Sequence, residues 1–163
     1  MYFKQSDLFW QLSHDFVKKI MAQAMKKNYP SGACVFREGD PAREFFILIK
    51  GHIRLKIGDS GQVVHTVSHA GEFFGWSALL AREYYSAQAE CMAACELLVF
   101  QAQRIQRIVE TDPTNGLFFM KRLAGIIGER LIQNYRLTSA MPRQDTLSSF
   151  GTRQLAELAG DSF

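Results

Sequence analysis

Gly71-Glu72-Phe73-Phe74-Gly75-Trp76-Ser77-Ala78-Leu79-Leu80-Ala81-Arg82-Glu83-Tyr84-Tyr85-Ser86-Ala87 is the stretch whose reading decides this chain. An apolar, strand-like approach runs into Gly75, one short helical turn of small residues follows, and then comes a polar loop. Ser86-Ala87-Gln88-Ala89 resumes an extended run. A glycine at such a junction lets the backbone come close to a ligand, and the N–H groups opening the next turn can cradle an anion.

Outward from this stretch, the signals from Cys34 to Phe100 are strands. Ala33-Cys34-Val35-Phe36 leads to a turn at Arg37-Glu38-Gly39-Asp40-Pro41. Phe45-Phe46-Ile47-Leu48-Ile49 ends at Lys50-Gly51 and is followed by the alternating Ile53-Arg54-Leu55-Lys56-Ile57. Gly58-Asp59-Ser60-Gly61 is a hairpin signal answered by Val63-Val64-His65-Thr66-Val67, and Glu96-Leu97-Leu98-Val99-Phe100 ends the series. Helical spacing governs both flanks. Leu8, Phe9, Leu12, Phe16, Ile20 and Ala24 predict a helix over residues 5–27, closed by Pro30-Ser31-Gly32. Gln101 to Glu110 reads as a second helix, Thr111-Asp112-Pro113 stops it, and a long helix runs from about Thr114 to Thr138.

Phe74-Gly75-Trp76-Ser77-Ala78-Leu79, the variable loop and Tyr85-Ser86-Ala87 together resemble the phosphate-binding cassette of cyclic-nucleotide-binding domains in the Crp/Fnr superfamily. Phe36-Arg37-Glu38-Gly39-Asp40 and Phe46-Ile47-Leu48-Ile49-Lys50-Gly51-His52-Ile53 resemble that superfamily's first strand and hairpin, in the same order, so the similarity spans about residues 30–140. It implies an α+β, mainly β fold: a double-stranded β-roll (jelly roll) with an N-terminal helix and a long C-terminal dimerisation helix. The expected organisation is an N-terminal helical segment at 1–29, a ligand-binding roll at 30–110, the dimerisation helix at 111–141 and a tail at 142–163. The resemblance implies a pocket of Gly75, Trp76, Ser77 and Ala78 with Arg82, Tyr85, Ser86 and Ala87, faced from the long helix by Asn134. Both charged residues of the family pattern are missing: Trp76 stands where the family's ribose-binding Glu falls, and Tyr85 where its phosphate-binding Arg falls. Losing both contacts costs a cyclic nucleotide about two to three decades or more in affinity. Arg82 is the nearby cation that can soften that loss. Two aromatic side chains suit a flat, less charged effector, and a pocket filled by Trp76 would mark a protein-interaction module instead.

The long helix places Met120, Leu123, Ile127, Arg130, Asn134, Leu137 and Met141 at heptad steps, the seam of a two-stranded coiled coil. The expectation is a homodimer about this helix, the alternative being a helix packed on its own roll. Gly151-Thr152-Arg153-Gln154-Leu155-Ala156-Glu157-Leu158-Ala159-Gly160 resembles the first helix and turn of a helix-turn-helix. No recognition helix follows, so the expectation is a regulator shorn of its DNA-binding half, with no duplex binding by this chain alone.

The bulk numbers are those of an ordinary globular domain. The chain has 163 residues, is 47% hydrophobic and 21% charged, and carries a formal charge of +3, too slight to imply nucleic acid. Thirteen phenylalanines suit a roll filled by large inward side chains. No apolar run approaches a membrane span. Cys34, Cys91 and Cys95 follow no signal peptide, so reduced thiols and a cytoplasmic protein are expected, with Cys91 and Cys95 in the core. His65 and His69, with Glu72 nearby, lack the spacing of a metal-binding jelly roll, and the histidines read as solvent-facing. No nucleophile elbow, Walker loop or paired-carboxylate pattern appears, so an enzyme is not expected. The expected role is a regulatory, ligand-sensing module whose effector is a cyclic nucleotide or another small molecule, and the altered cassette argues for the latter.

Overall fold

The computed structural model describes residues 7–139. Eight strands form two four-stranded antiparallel sheets: β1 (Met25–Tyr29), β8 (Cys95–Gln101), β3 (Glu44–Lys50) and β6 (Phe73–Phe74) in one, and β2 (Cys34–Phe36), β7 (Gln88–Cys91), β4 (Ile53–Ile57) and β5 (Gln62–Val67) in the other. Helices α1 (His14–Met21), α2 (Ala102–Thr111) and α3 (Pro113–Ser139) flank this mainly β roll. The fold is the one its sequence resemblance implied.

The register of β3 explains its unbroken apolar run. Phe46 and Leu48 point between the sheets, onto Phe36, Phe74, Leu97 and Val99. Phe45 and Ile47 point the other way, into a second cluster with Phe100 of β8 and with Phe16, Ile20, Ile105, Phe119 and Leu123 from the helices. A strand covered on both faces needs no polar alternation. Each such buried phenylalanine contributes about 1.5–3 kcal/mol relative to exposure. The Lys50-Gly51 turn is glycine for a steric reason: Gly51 has φ 102°, and a Cβ there would lie 2.6 Å from the Cys95 sulfur. Cys91 and Cys95 are both buried in the inter-sheet core as free thiols, and burial pushes the Cys91 thiol up to about 12.

The N-terminal expectation needs correction. A continuous helix over 5–27 is not what forms. A 310 turn at Asp7–Phe9 is followed by Gln11 at φ 66°, and Ser13 then caps α1, its hydroxyl accepting the Phe16 N–H at 3.3 Å. Leu8, Phe9, Phe16 and Ile20 do share one core, as their spacing suggests, but through two segments. Met25–Tyr29 is an edge strand paired with Cys95–Val99, so the roll begins before residue 30. Its side chains are almost all exposed, with Lys26 bonded to Glu96 at 2.7 Å, so apolar alternation could not reveal it.

Helix α3 also turns differently from its expected seam. Leu123 is fully buried against its own roll, Arg130 is buried, and Ile127 packs on the same core. The exposed apolar face lies around the helix from these, at Leu117, Ala124, Leu131 and Tyr135, flanked by Phe118 and Ile132. Leu137 and Met141 of the expected seam, and the tail 142–163, lie outside the side chains or residues described.

Candidate functional site

The cassette is built on Gly75, which takes the left-handed conformation at φ 78° between β6 and a 310 turn, Trp76–Leu79. A Cβ there would press on the Phe46 ring at 3.1 Å and the Glu44 carbonyl at 3.3 Å, so glycine sets both the turn and its approach to β3. One N–H group of the turn and two from the residues after it bond back into it. Ala78 N–H goes to the Gly75 carbonyl, Leu80 N–H to Trp76 and Ser77, and Arg82 N–H to Ser77. Past Ala81, itself at φ 53°, the loop is zipped to the turn after β2 by bonds of Ala42 to Glu83, Gly39 to Tyr85 and Tyr85 to Asp40, at 2.8, 3.0 and 2.9 Å.

Tyr85 is a core residue, 6% exposed. Its ring stacks on Phe36 at 3.9 Å between centroids and 16° between planes. Its hydroxyl donates to the Glu44 carbonyl at 2.6 Å and accepts the Glu44 N–H at 3.1 Å. Burial pushes the phenol up to about 12, against the opposing pull of the Glu44 backbone bond. The hydroxyl is therefore a neutral strut between cassette and β3, with its hydrogen-bonding capacity already used.

The structure brings together six of the nine candidates. Gly75, Trp76, Ser77, Tyr85, Ser86 and Ala87, with Phe36 and Leu55, line a cavity of about 30 Å³, room for one water. Ala78 and Arg82 face elsewhere, into a polar cleft of about 850 Å³ shared with Asp40, Arg43, Glu44 and Gln106. Phe36 and Tyr85 border both spaces. Arg82 is exposed on that cleft. Asn134 is half-buried and does not line the small cavity; Arg130, one turn earlier, is the α3 side chain that meets Trp76 and the Phe73 carbonyl. Trp76 does not plug the pocket either; the Arg130 guanidinium lies over its ring at 4.8 Å.

Sequence reasoning missed that second grouping. Arg130 Nη2 donates to the Phe73 carbonyl at 2.7 Å, and the guanidinium also lies 5.3 Å from the Phe73 ring centroid. Burial lowers the Arg130 pKa to about 10, with Glu72 opposing. Burial alone would raise the Glu72 carboxyl, but backbone N–H groups of His69 and Ser68, both at 2.7 Å, and the Arg130 charge hold it below its ordinary value. His65, expected to face solvent, is half-buried, and its imidazole is held low by burial and by Arg130 against the pull of Glu72. The heptad reading put Arg130 in a seam. The signal available was an arginine among apolar positions, which demands an internal partner. Among the described residues, no three His, Cys, Asp or Glu side chains are grouped to hold a metal.

A β-roll with a glycine-based cassette folded against a long helix defines a class of ligand-binding regulatory module. This chain belongs to the cyclic nucleotide-binding domain family, whose model matches residues 26–112. It is 22% identical over 176 residues to the cAMP-activated global transcriptional regulator CRP of Pasteurella multocida, covering 94% of this chain and 80% of that protein. It is 24% identical over 147 residues to the CRP-like protein Clp of Xanthomonas euvesicatoria, covering 88% of this chain and 64% of that one. Among solved structures, the catabolite activator protein of Thermus thermophilus superposes with a TM-score of 0.67 at 23% identity, over 82% of this chain and 62% of that chain. The chain spans 30% of one curated relative and as little as 19% of another. No helix among the described residues is long and apolar enough to cross a membrane.

Proposed function

We propose that this chain is the sensing domain of a Crp/Fnr-type regulator, a binding module rather than an enzyme, whose effector is not a cyclic phosphate. One observation carries the reading: the position that should supply the phosphate's arginine holds Tyr85, whose ring closes on Phe36 and whose hydroxyl is committed to Glu44. With Trp76 turned to Arg130, neither substituted position offers a charge to a nucleotide, and about 30 Å³ cannot admit one. A working homodimer is supported by the exposed α3 face of Leu117, Leu131, Ile132 and Tyr135, around Gly125 and Gly128, which have open space beside them. Three free cysteines fit a reducing, cytoplasmic setting.

A second reading, a protein-interaction module with a vestigial pocket, is favoured by the same closure, with Tyr85 rather than Trp76 as the plug. Native mass spectrometry of freshly purified protein separates these readings. A dimer carrying a small non-nucleotide mass is expected of the sensor. A dimer with no adduct supports the interaction module, and a retained cyclic nucleotide overturns both.

A further inference from the structure

A second cavity, of about 240 Å³, lies where the β5–β6 loop meets α3 and is lined by Leu8, Phe73 and Ile126 on its apolar side and by His65, Glu72 and Arg130 on its polar side. Two buried polar atoms of this wall have no protein partner: Arg130 Nη1 and His65 Nε2. Arg130 is only 8% exposed, and its other terminal nitrogen is fixed on the Phe73 carbonyl, which aims the guanidinium rather than satisfying it. Glu72 does not close the gap. Its Oε2 is taken by the N–H groups of Ser68 and His69, and its Oε1 stops 3.9 Å from His65 Nε2, beyond hydrogen-bond reach. A buried donor left without an acceptor is costly, the more so on a charged group.

We propose that this cavity is a binding site for a small organic monocarboxylate, its two oxygens received by Arg130 Nη1 and His65 Nε2 and its apolar body by Leu8, Phe73 and Ile126. The site lies outside the cassette, and the inference does not rest on what the cassette binds. Size restricts the ligand: the space holds roughly eight waters at about 30 Å³ each. Charge restricts it further. One arginine faces Glu72, with Glu129 and the exposed His69 at the rim, so a single negative charge is tolerated where a dianion would be repelled. His65 sits between the incoming carboxylate and Glu72, so binding draws a proton onto its ring. Affinity therefore rises as the pH falls through the ordinary imidazole range. Arg130 belongs to α3 and is bonded to β6, so an occupant ties the β5–β6 loop to the long helix and couples the site to helix position.

Calorimetric titration of the whole chain with benzoate, repeated in buffers of different ionisation enthalpy, tests the site, with acetate, neutral benzamide and inorganic phosphate as comparisons. The expected result is saturable benzoate binding with proton uptake, tighter than acetate and absent for benzamide and phosphate. His65→Gln should abolish the proton uptake, and Arg130→Gln should weaken binding at least about tenfold. Because Arg130→Gln empties a buried position and can fail to fold, His65→Gln on the same polar wall is the deciding variant. Benzoate binding without proton uptake, phosphate binding as tight as benzoate, or unchanged uptake in His65→Gln would each overturn the assignment.

Discussion

The Tyr85 hydroxyl and the Glu44 backbone meet through two part-buried hydrogen bonds, at 2.6 and 3.1 Å. Tyr85→Phe keeps the stack on Phe36 but orphans a carbonyl and an N–H. It should lower unfolding stability by about 1–3 kcal/mol in urea titration, and a wild-type midpoint would show that the hydroxyl is no strut. The imidazole of His65 supports a second expectation. Its folded-state pKa lies below the ordinary 6.5, so protonation favours the unfolded chain. Stability from this group is complete above that ordinary value and is lost as the pH falls through the folded-state one. Glu72, also depressed, adds a further loss beginning near its ordinary 4.5. The unfolding midpoint should drop as the pH falls below the ordinary imidazole value, and His65→Gln should flatten that drop. An equal slope in the variant would assign the loss to other groups. The sequence made the substitutions at 76 and 85 visible, since position in the cassette is local. It could not show that Tyr85 turns inward to Phe36 and Glu44, or that Trp76 meets Arg130, because those partners lie far along the chain.

Elements were legible where one face is apolar and one polar. β4 occupies Ile53–Ile57 as its alternation foretold, and the β4–β5 hairpin forms at the Gly58–Gly61 signal. β1 was illegible because an exposed edge strand held by backbone bonds and lysine pairs carries no hydrophobic period. Helix α3 was legible in length but not in rotation. Apolar residues ring it, at Leu117, Phe118, Phe119, Met120 and Leu123, so heptad steps fit more than one face. Only contact with the roll chooses Phe119, Leu123 and Arg130 for the inside. That rotation changes how the proposed dimer is to be broken. Leu131→Asp with Ile132→Asp should leave a folded monomer by light scattering and circular dichroism, since both side chains are about half exposed. Leu123→Asp should instead unfold the chain, because it places a charge in a fully buried position. A dimer that survives the first pair would put the interface on another surface.

Across the whole molecule, two cores share one sheet: the inter-sheet core carries the cassette through Phe36, Phe74 and Tyr85, and the outer core carries α3 through Phe45, Phe73 and Leu123. β6 serves both, with Phe74 facing inward and Phe73 bonded through its carbonyl to Arg130. A change at either cavity therefore reaches the long helix by a short packed path, which suits a sensing module. The most direct test of the central claim is calorimetric titration of cyclic AMP and cyclic GMP into ligand-stripped protein. Two missing charged contacts, at about 1.5–3 kcal/mol each, and a cavity of only about 30 Å³ should leave no binding tighter than roughly 100 µM. Saturable binding at about 10 µM or tighter would show that the Tyr85–Phe36 stack opens and that Arg82 or the turn carries the phosphate, contradicting the account.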